Sequence, residues 1–202
     1  MQRKFWAIAT FIVGLVLAIR AEAVMVMPFN IEELAKRADK VFVGTCTKVS
    51  QSVNAQNIPV IEVTFTVTEA VKGKVGETVT FQQVDPQGQR SPTSRPTADE
   101  RVSENPQSIF SAAAIAGLPY YTPGEEALLF LATPGKLGLT APIGLTQGKL
   151  PVTTLASGEK IITNTSLRKT ALTDGAIPDP GRTARYDRFL TVLRTITDTT
   201  HK

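Results

Sequence analysis

The chain contains a single cysteine and a single histidine. One cysteine excludes an internal disulfide framework. One cysteine and one histidine cannot supply the four N and S ligands of a closed structural zinc site. A histidine-dependent catalytic triad would have to use His201, the penultimate of 202 residues, where chains usually fray. Excess charge is scarce as well: 22 Lys and Arg stand against 18 Asp and Glu, a net +4. What the chain does have, 42% hydrophobic and 20% charged residues, is an ordinary globular composition.

The first 23 residues read as a secretory signal peptide. Arg3 and Lys4 form a positive n-region, and residues 5–19 (FWAIATFIVGLVLAI) are an uncharged run of 15. Ala21-Glu22-Ala23 is a small-x-small cleavage box. The run is short for a membrane span, which needs roughly 20 residues. The rival reading is an uncleaved anchor at the inner membrane, because Val24 to Met27 continue the apolar character. Cleavage removes Arg3, Lys4, Arg20 and Glu22, leaving 179 residues with 19 basic and 17 acidic side chains, a net +2. A nucleic-acid partner would want a concentrated basic face, so that class is set aside. The expected product is one exported domain over 24–202, periplasmic or secreted, long enough to bury roughly 70% of its unfolded surface.

Asn30-Ile31-Glu32-Glu33 predicts a short helix, with Asn30 as cap and Glu33 placed to complete a capping box. Ile31, Leu34, Ala35 and Ala38 fall on one stripe. Residues 40–49 are rich in β-branched side chains and read as a strand buried on both faces at its start. In 60–71, Ile61, Val63, Phe65 and Val67 alternate with Glu62, Thr64, Thr66 and Thr68, the pattern of a half-buried antiparallel strand. Lys72 to Gly76 turns the chain into a third strand carrying Val79 and Phe81.

Residues 85–108 hold four prolines and no aromatic residue. Such a segment cannot offset its own ordering entropy by burial, which predicts a mobile insertion. Beyond it, Ile109, Phe110, Ile115, Leu118, Tyr120 and Tyr121 form a small apolar patch. Within this patch, Phe110 to Leu118 is read as a short docking helix. Ala127 to Leu131 is a continuous apolar strand expected at the centre of the sheet. Residues 137–154 read as one or two short strands broken at Gly138, Gly144 and Gly148, and 160–164 as a further one. Asp179-Pro180 predicts the start of an amphipathic helix over about 180–197, with Tyr186, Phe189, Leu190, Leu193 and Ile196 on its apolar face. The expected fold class is therefore mainly β: a small antiparallel OB-like barrel of five to six strands, with a short N-terminal helix and an amphipathic C-terminal one.

Four runs carry a resemblance: Ala38-Asp39-Lys40-Val41-Phe42-Val43-Gly44; Val63-x-Phe65-x-Val67 ending in Val71-Lys72-Gly73; Val79-x-Phe81; and Gly124-x-x-x-Leu128-Leu129-Phe130-Leu131. In this order they resemble a set of exported bacterial proteins of unassigned role. More distantly, they resemble the OB-fold, netrin-like domain of the tissue inhibitors of metalloproteinases, over roughly residues 30–150. That resemblance implies a barrel. It does not carry the inhibitors' mechanism, which places an N-terminal cysteine on the protease zinc. Here the expected mature N-terminus is Val24 and the only cysteine is Cys46.

The remaining chemical motifs are sparse. Cys46 is either a nucleophile helped by Lys48, two residues along the same strand face, or a small buried thiol; the second is the expectation. Ser166-Leu167-Arg168-Lys169 matches S-x-x-K, but S-D-N is missing. Asn164-Thr165-Ser166 is a glycosylation sequon only in a eukaryotic secretory host. The adjacent carboxylates Glu32/Glu33, Asp99/Glu100 and Glu125/Glu126 diverge along helix or strand rather than converge. The arginines of the last helix could bind an acidic partner or lipid headgroups, but Asp179, Asp187 and Asp198 partly cancel them, and a plain amphipathic helix covering one end of the barrel is the expectation. No catalytic, metal or cofactor residue is assigned, and no cofactor is expected. The expected function is a non-enzymatic exported binding module whose partner is another exported protein, met through the patch at 109–121. The alternatives are a regulator or inhibitor of an exported protease acting through loop 85–121, and an exported hydrolase using Ser166 and Lys169 or Cys46.

Overall fold

The computed structural model describes residues 29–85, 117–164 and 182–199. The proposed signal segment, all of the insertion beyond Asp85, patch residues Ile109, Phe110 and Ile115, the Asp179-Pro180 start signal and the Ser166–Lys169 motif lie outside these residues.

Helix α1 (Ile31–Arg37) begins as its sequence dictates. Asn30 Oδ1 accepts from the Glu33 N–H at 2.8 Å, and Glu33 Oε2 accepts from the Asn30 N–H at 3.1 Å. Two orphan donors of the first turn are thereby satisfied. Seven strands follow: β1 (Lys40–Val53), β2 (Pro59–Lys72), β3 (Thr78–Val84), β4 (Glu126–Leu131), β5 (Lys149–Thr154), β6 (Lys160–Asn164) and β7 (Arg182–Arg185). Helix α2 (Tyr186–Thr199) closes the order.

The strands form one sheet in the order β3-β2-β1-β4-β5-β6-β7, with every neighbouring pair antiparallel. The fold is mainly β as expected, but it is not a closed barrel of five or six strands. Closure requires the first and last strands to meet in a matching register. Here β7 is only four residues long and runs straight into α2, which folds back onto a sheet face instead of extending toward β3. The outer edge of β3 is partly covered by the loop after β4, through Thr140 N–H to the Gln82 carbonyl at 2.8 Å.

The sheet buries both faces over its centre. On one face Val41, Val43, Leu128, Phe130, Leu150 and Ile162 pack under Ile31 and Leu34 of α1 and Phe189, Leu190 and Leu193 of α2. On the other, Phe42, Ile61, Val63, Phe65, Phe81, Leu129 and Tyr121 form a second core, with Phe65 and Tyr121 meeting edge to face at 5.9 Å between ring centres. Alternation alone explains the two composition patterns. Strands β1 and β4 feed both cores, so they read as unbroken apolar runs; β2 feeds mainly one, so Glu62, Thr64 and Thr66 alternate out of it.

The C-terminal segment departs from expectation. The amphipathic helix exists, but it starts at Tyr186 rather than 180, and Arg182–Arg185 is a strand. The long-range ladder to β6, with Ala184 buried opposite Ile162, overrides a local helix signal. Similarly, the segment 137–154 holds a 3-10 turn (Leu145–Gly148) before β5. No described helix is long and apolar enough to cross a membrane.

Candidate functional site

Two of the resembling motifs, Ala38-Asp39 and Lys72-Gly73, meet at one end of the sheet, and there they do structural work. The Lys72 ammonium donates to the carbonyls of Ala35 at 2.7 Å and Ala38 at 2.8 Å, satisfying acceptors at the C-terminus of α1. Burial pulls its pKa below the usual lysine value, while neighbouring Asp39 opposes that shift. Gly73 has φ +81°, and a Cβ there would stand 2.3 Å from the Asp39 carbonyl oxygen. Ala-Asp and Lys-Gly thus form a clasp between α1, β1 and β2.

Midway along β1 lies the chain's single thiol. Cys46 is 1% exposed, and its thiol donates to the Lys48 carbonyl at 3.9 Å. Burial, and then the Glu125 carboxylate, push the thiol's pKa up, with Lys149 opposing. The result is a protonated, buried thiol, not the exposed thiolate that nucleophilic attack needs. Lys48 does not share the Cys46 face as the plain strand period suggests. A register shift between Cys46 and Lys48 interrupts the alternation and leaves Lys48 exposed. The cation facing Cys46 comes from β5, as Lys149.

Adjacent Glu125 and Glu126 diverge as expected and take different partners. Glu125 pairs with Lys149 at 2.6 Å; both Glu126 oxygens take Lys160, at 2.8 and 2.9 Å. A cleft of about 440 Å³ is bordered by Glu125, Glu126 and Lys149 and walled by Pro151 to Thr154. The arginines of the C-terminal segment are also engaged: Arg185 pairs with Glu159 at 2.8 Å, and Arg194 with Glu69, which also accepts from the Tyr186 hydroxyl at 2.9 Å. No group of three or more His, Cys, Asp or Glu among the described residues could hold a metal ion.

The described part of the sequence-derived patch, Leu118, Tyr120 and Tyr121, divides between core and surface. Tyr121 is buried in the second core, whereas Tyr120 is 59% exposed and Leu118 is half-buried. The backbone carrying them is pinned from three sides. Lys149 donates to the Tyr120 carbonyl and lies 4.8 Å over the Tyr121 ring centre. Gln83 Nε2 donates to the Pro119 carbonyl at 3.0 Å, and the Tyr121 hydroxyl reaches Gln83 Oε1 at 3.4 Å. The Thr146 N–H donates to the Gly117 carbonyl at 3.0 Å. Leu118 borders an apolar groove of about 490 Å³, formed with Val84, Ala132, Leu139, Pro142 and Ile143.

Sequence reasoning missed Gln83, Lys149 and the loop after β4. One signal for Gln83 was present: it follows Val79 and Phe81 at the inward period of β3, where an amide implies a buried partner. Nothing local announces Lys149, whose partners stand 24 and 29 residues away. No protein-family model matches the chain, and no curated protein matches it.

Proposed function

We propose that this chain is an exported, non-enzymatic binding module, and that the corner at Leu118–Tyr120, with the apolar groove beside it, is where another exported protein docks. The observation that supports this most is the contrast between a pinned backbone and two projecting side chains. Lys149, Gln83 and Thr146 fix the segment, so little conformational entropy remains to be lost on binding. An exposed tyrosine beside an apolar groove has the chemistry of an interface anchor. The signal-like first 23 residues place the encounter outside the cytoplasm in this reading. The likeness to the netrin-like module belongs to the same proposal, carried by the motif order along β1 to β4.

The test is differential capture. The chain isolated from an exporting host, and its Tyr120→Ala variant with an unchanged circular dichroism spectrum and melting temperature, are each used to capture partners from the periplasmic and secreted fractions. The reading requires a partner that the variant loses. A partner set identical for both proteins overturns it. N-terminal sequencing of the exported chain is expected to begin at Val24; retention of Met1 to Ala23 refutes cleavage. Inhibition of an exported metalloprotease that is lost in Tyr120→Ala would narrow the module to a protease regulator.

A further inference from the structure

Strand β1 is much longer than its partner on one side. It pairs with β2 as far as Val53, but with β4 only from Lys40 to Thr45. The Cys46 N–H and carbonyl still bond to Glu125 and Gly124. From Lys48 to Val53 the second edge of β1 has no backbone partner among the described residues. The groups on that edge can be identified. The Asn54 N–H points inward, to the Ile58 carbonyl at 3.0 Å. Pro59, opposite Val53, has no N–H, and its carbonyl accepts from Asp85 in the other direction. Antiparallel alternation therefore turns the N–H and C=O of Val49, Gln51 and Val53 outward. The register is regular from Lys48 to Val53, so the edge is an uninterrupted template.

We propose that this edge pairs with the same edge of a second copy, in an antiparallel ladder centred on Gln51. A two-fold axis through Gln51 sets Gln51 against Gln51 and each Val49 against the other copy's Val53. All three outward residues then exchange both of their backbone hydrogen bonds, and the face they extend is the one that carries Val63 and Ile61 of the second core. Val53, 59% exposed, gains an apolar neighbour. The charge pattern fits the same axis. Lys48 is the only charged residue from Thr47 to Val53, and the axis sets it opposite Asn54 rather than opposite itself. No like charges face one another, which an antiparallel pair would penalise. The register shift at Thr47 ends the regular stretch and limits the ladder to Lys48–Asn54.

The isolated chain is examined by sedimentation at rising concentration, with four variants. The wild type is expected to reach twice the mass of one chain. Gln51→Pro removes an outward N–H without touching the β2 backbone ladder, gives up the side-chain bond to Asp85 that every Gln51 variant here loses, and should be monomeric with an unchanged spectrum. The Gln51 side chain donates to Asp85 Oδ2 at 3.0 Å, so Gln51→Glu sets two carboxylates opposite each other with each chain's Asp85 adding to the repulsion, and should weaken association by about tenfold or more. Gln51→Cys should cross-link to itself under mild oxidation, since hydrogen-bonded antiparallel partners lie about 5.5 Å apart at Cα, within disulfide reach. Lys48→Cys should not. A wild type that stays monomeric throughout overturns the proposal, including the case in which the edge instead captures a strand from another protein. So does a dimer that persists in folded Gln51→Pro.

Discussion

Replacing Gly73 by alanine tests whether Lys72-Gly73 and Ala38-Asp39 form a structural clasp. Two costs arise. Gly73 sits at φ +81°, where an L side chain loses about 1–2 kcal/mol. Its Cβ would also stand 2.3 Å from the Asp39 backbone oxygen. That oxygen belongs to the junction of α1 and β1, so it cannot yield without straining the Lys72 bonds to Ala35 and Ala38. Strained or lost hydrogen bonds to a charged donor add about 1.5–3 kcal/mol, and the stiffer unfolded chain returns up to about 1 kcal/mol. The net expectation is a loss of about 2–4 kcal/mol. At about 2 kcal/mol per molar urea, the unfolding midpoint should fall by about 1–2 M. Gly124→Ala is the control, because its φ is +91° but a Cβ there meets nothing within 4 Å. It should cost about 1 kcal/mol from the backbone alone. Equal midpoint shifts for the two variants would refute the clasp, since only the contact with Asp39 distinguishes them.

Three further outcomes follow from the same geometry. Cys46 should resist a thiol reagent in the native state and react only on unfolding, because burial holds the thiol protonated; fast labelling of the folded chain would contradict this. Burial, with Glu126 and Asp187 nearby, pushes the Tyr186 phenol up to about 12. A raised folded-state value means that the stabilisation is intact below the ordinary tyrosine range near 10 and is lost as pH rises from there through about 12. Urea midpoints should fall across that window, and fall less in Tyr186→Phe; identical profiles would count against the assignment. Gln83→Leu leaves the Pro119 carbonyl without its buried donor and should cost about 1–3 kcal/mol, with faster proteolytic cleavage near 117–121 than in wild type.

Local and distant forces compete in this fold. The capping box of α1, the alternation of β2, the apolar run of β4 and the bounds of β6 are all written in neighbouring residues, and the fold keeps them. Arg182–Arg185 carries no strong strand signal and follows a helix-start dipeptide, yet β6 recruits it through a ladder. Of the patch read from sequence, Tyr121 goes to the core and Tyr120 to the surface, because the extended backbone sends neighbours to opposite sides.

By itself, the sequence determined which segments alternate and how helix α1 begins, since both depend on residue identity and short spacing. It fixed the absence of a disulfide framework and the divergence of Glu125 from Glu126. Only the tertiary structure decided that the sheet stays open, that Lys149 rather than Lys48 faces Cys46, and that from Lys48 to Val53 one edge of β1 has no backbone partner among the described residues. Each of these depends on strand register. Register is set by contacts between residues tens of positions apart, and a one-residue slip changes every face.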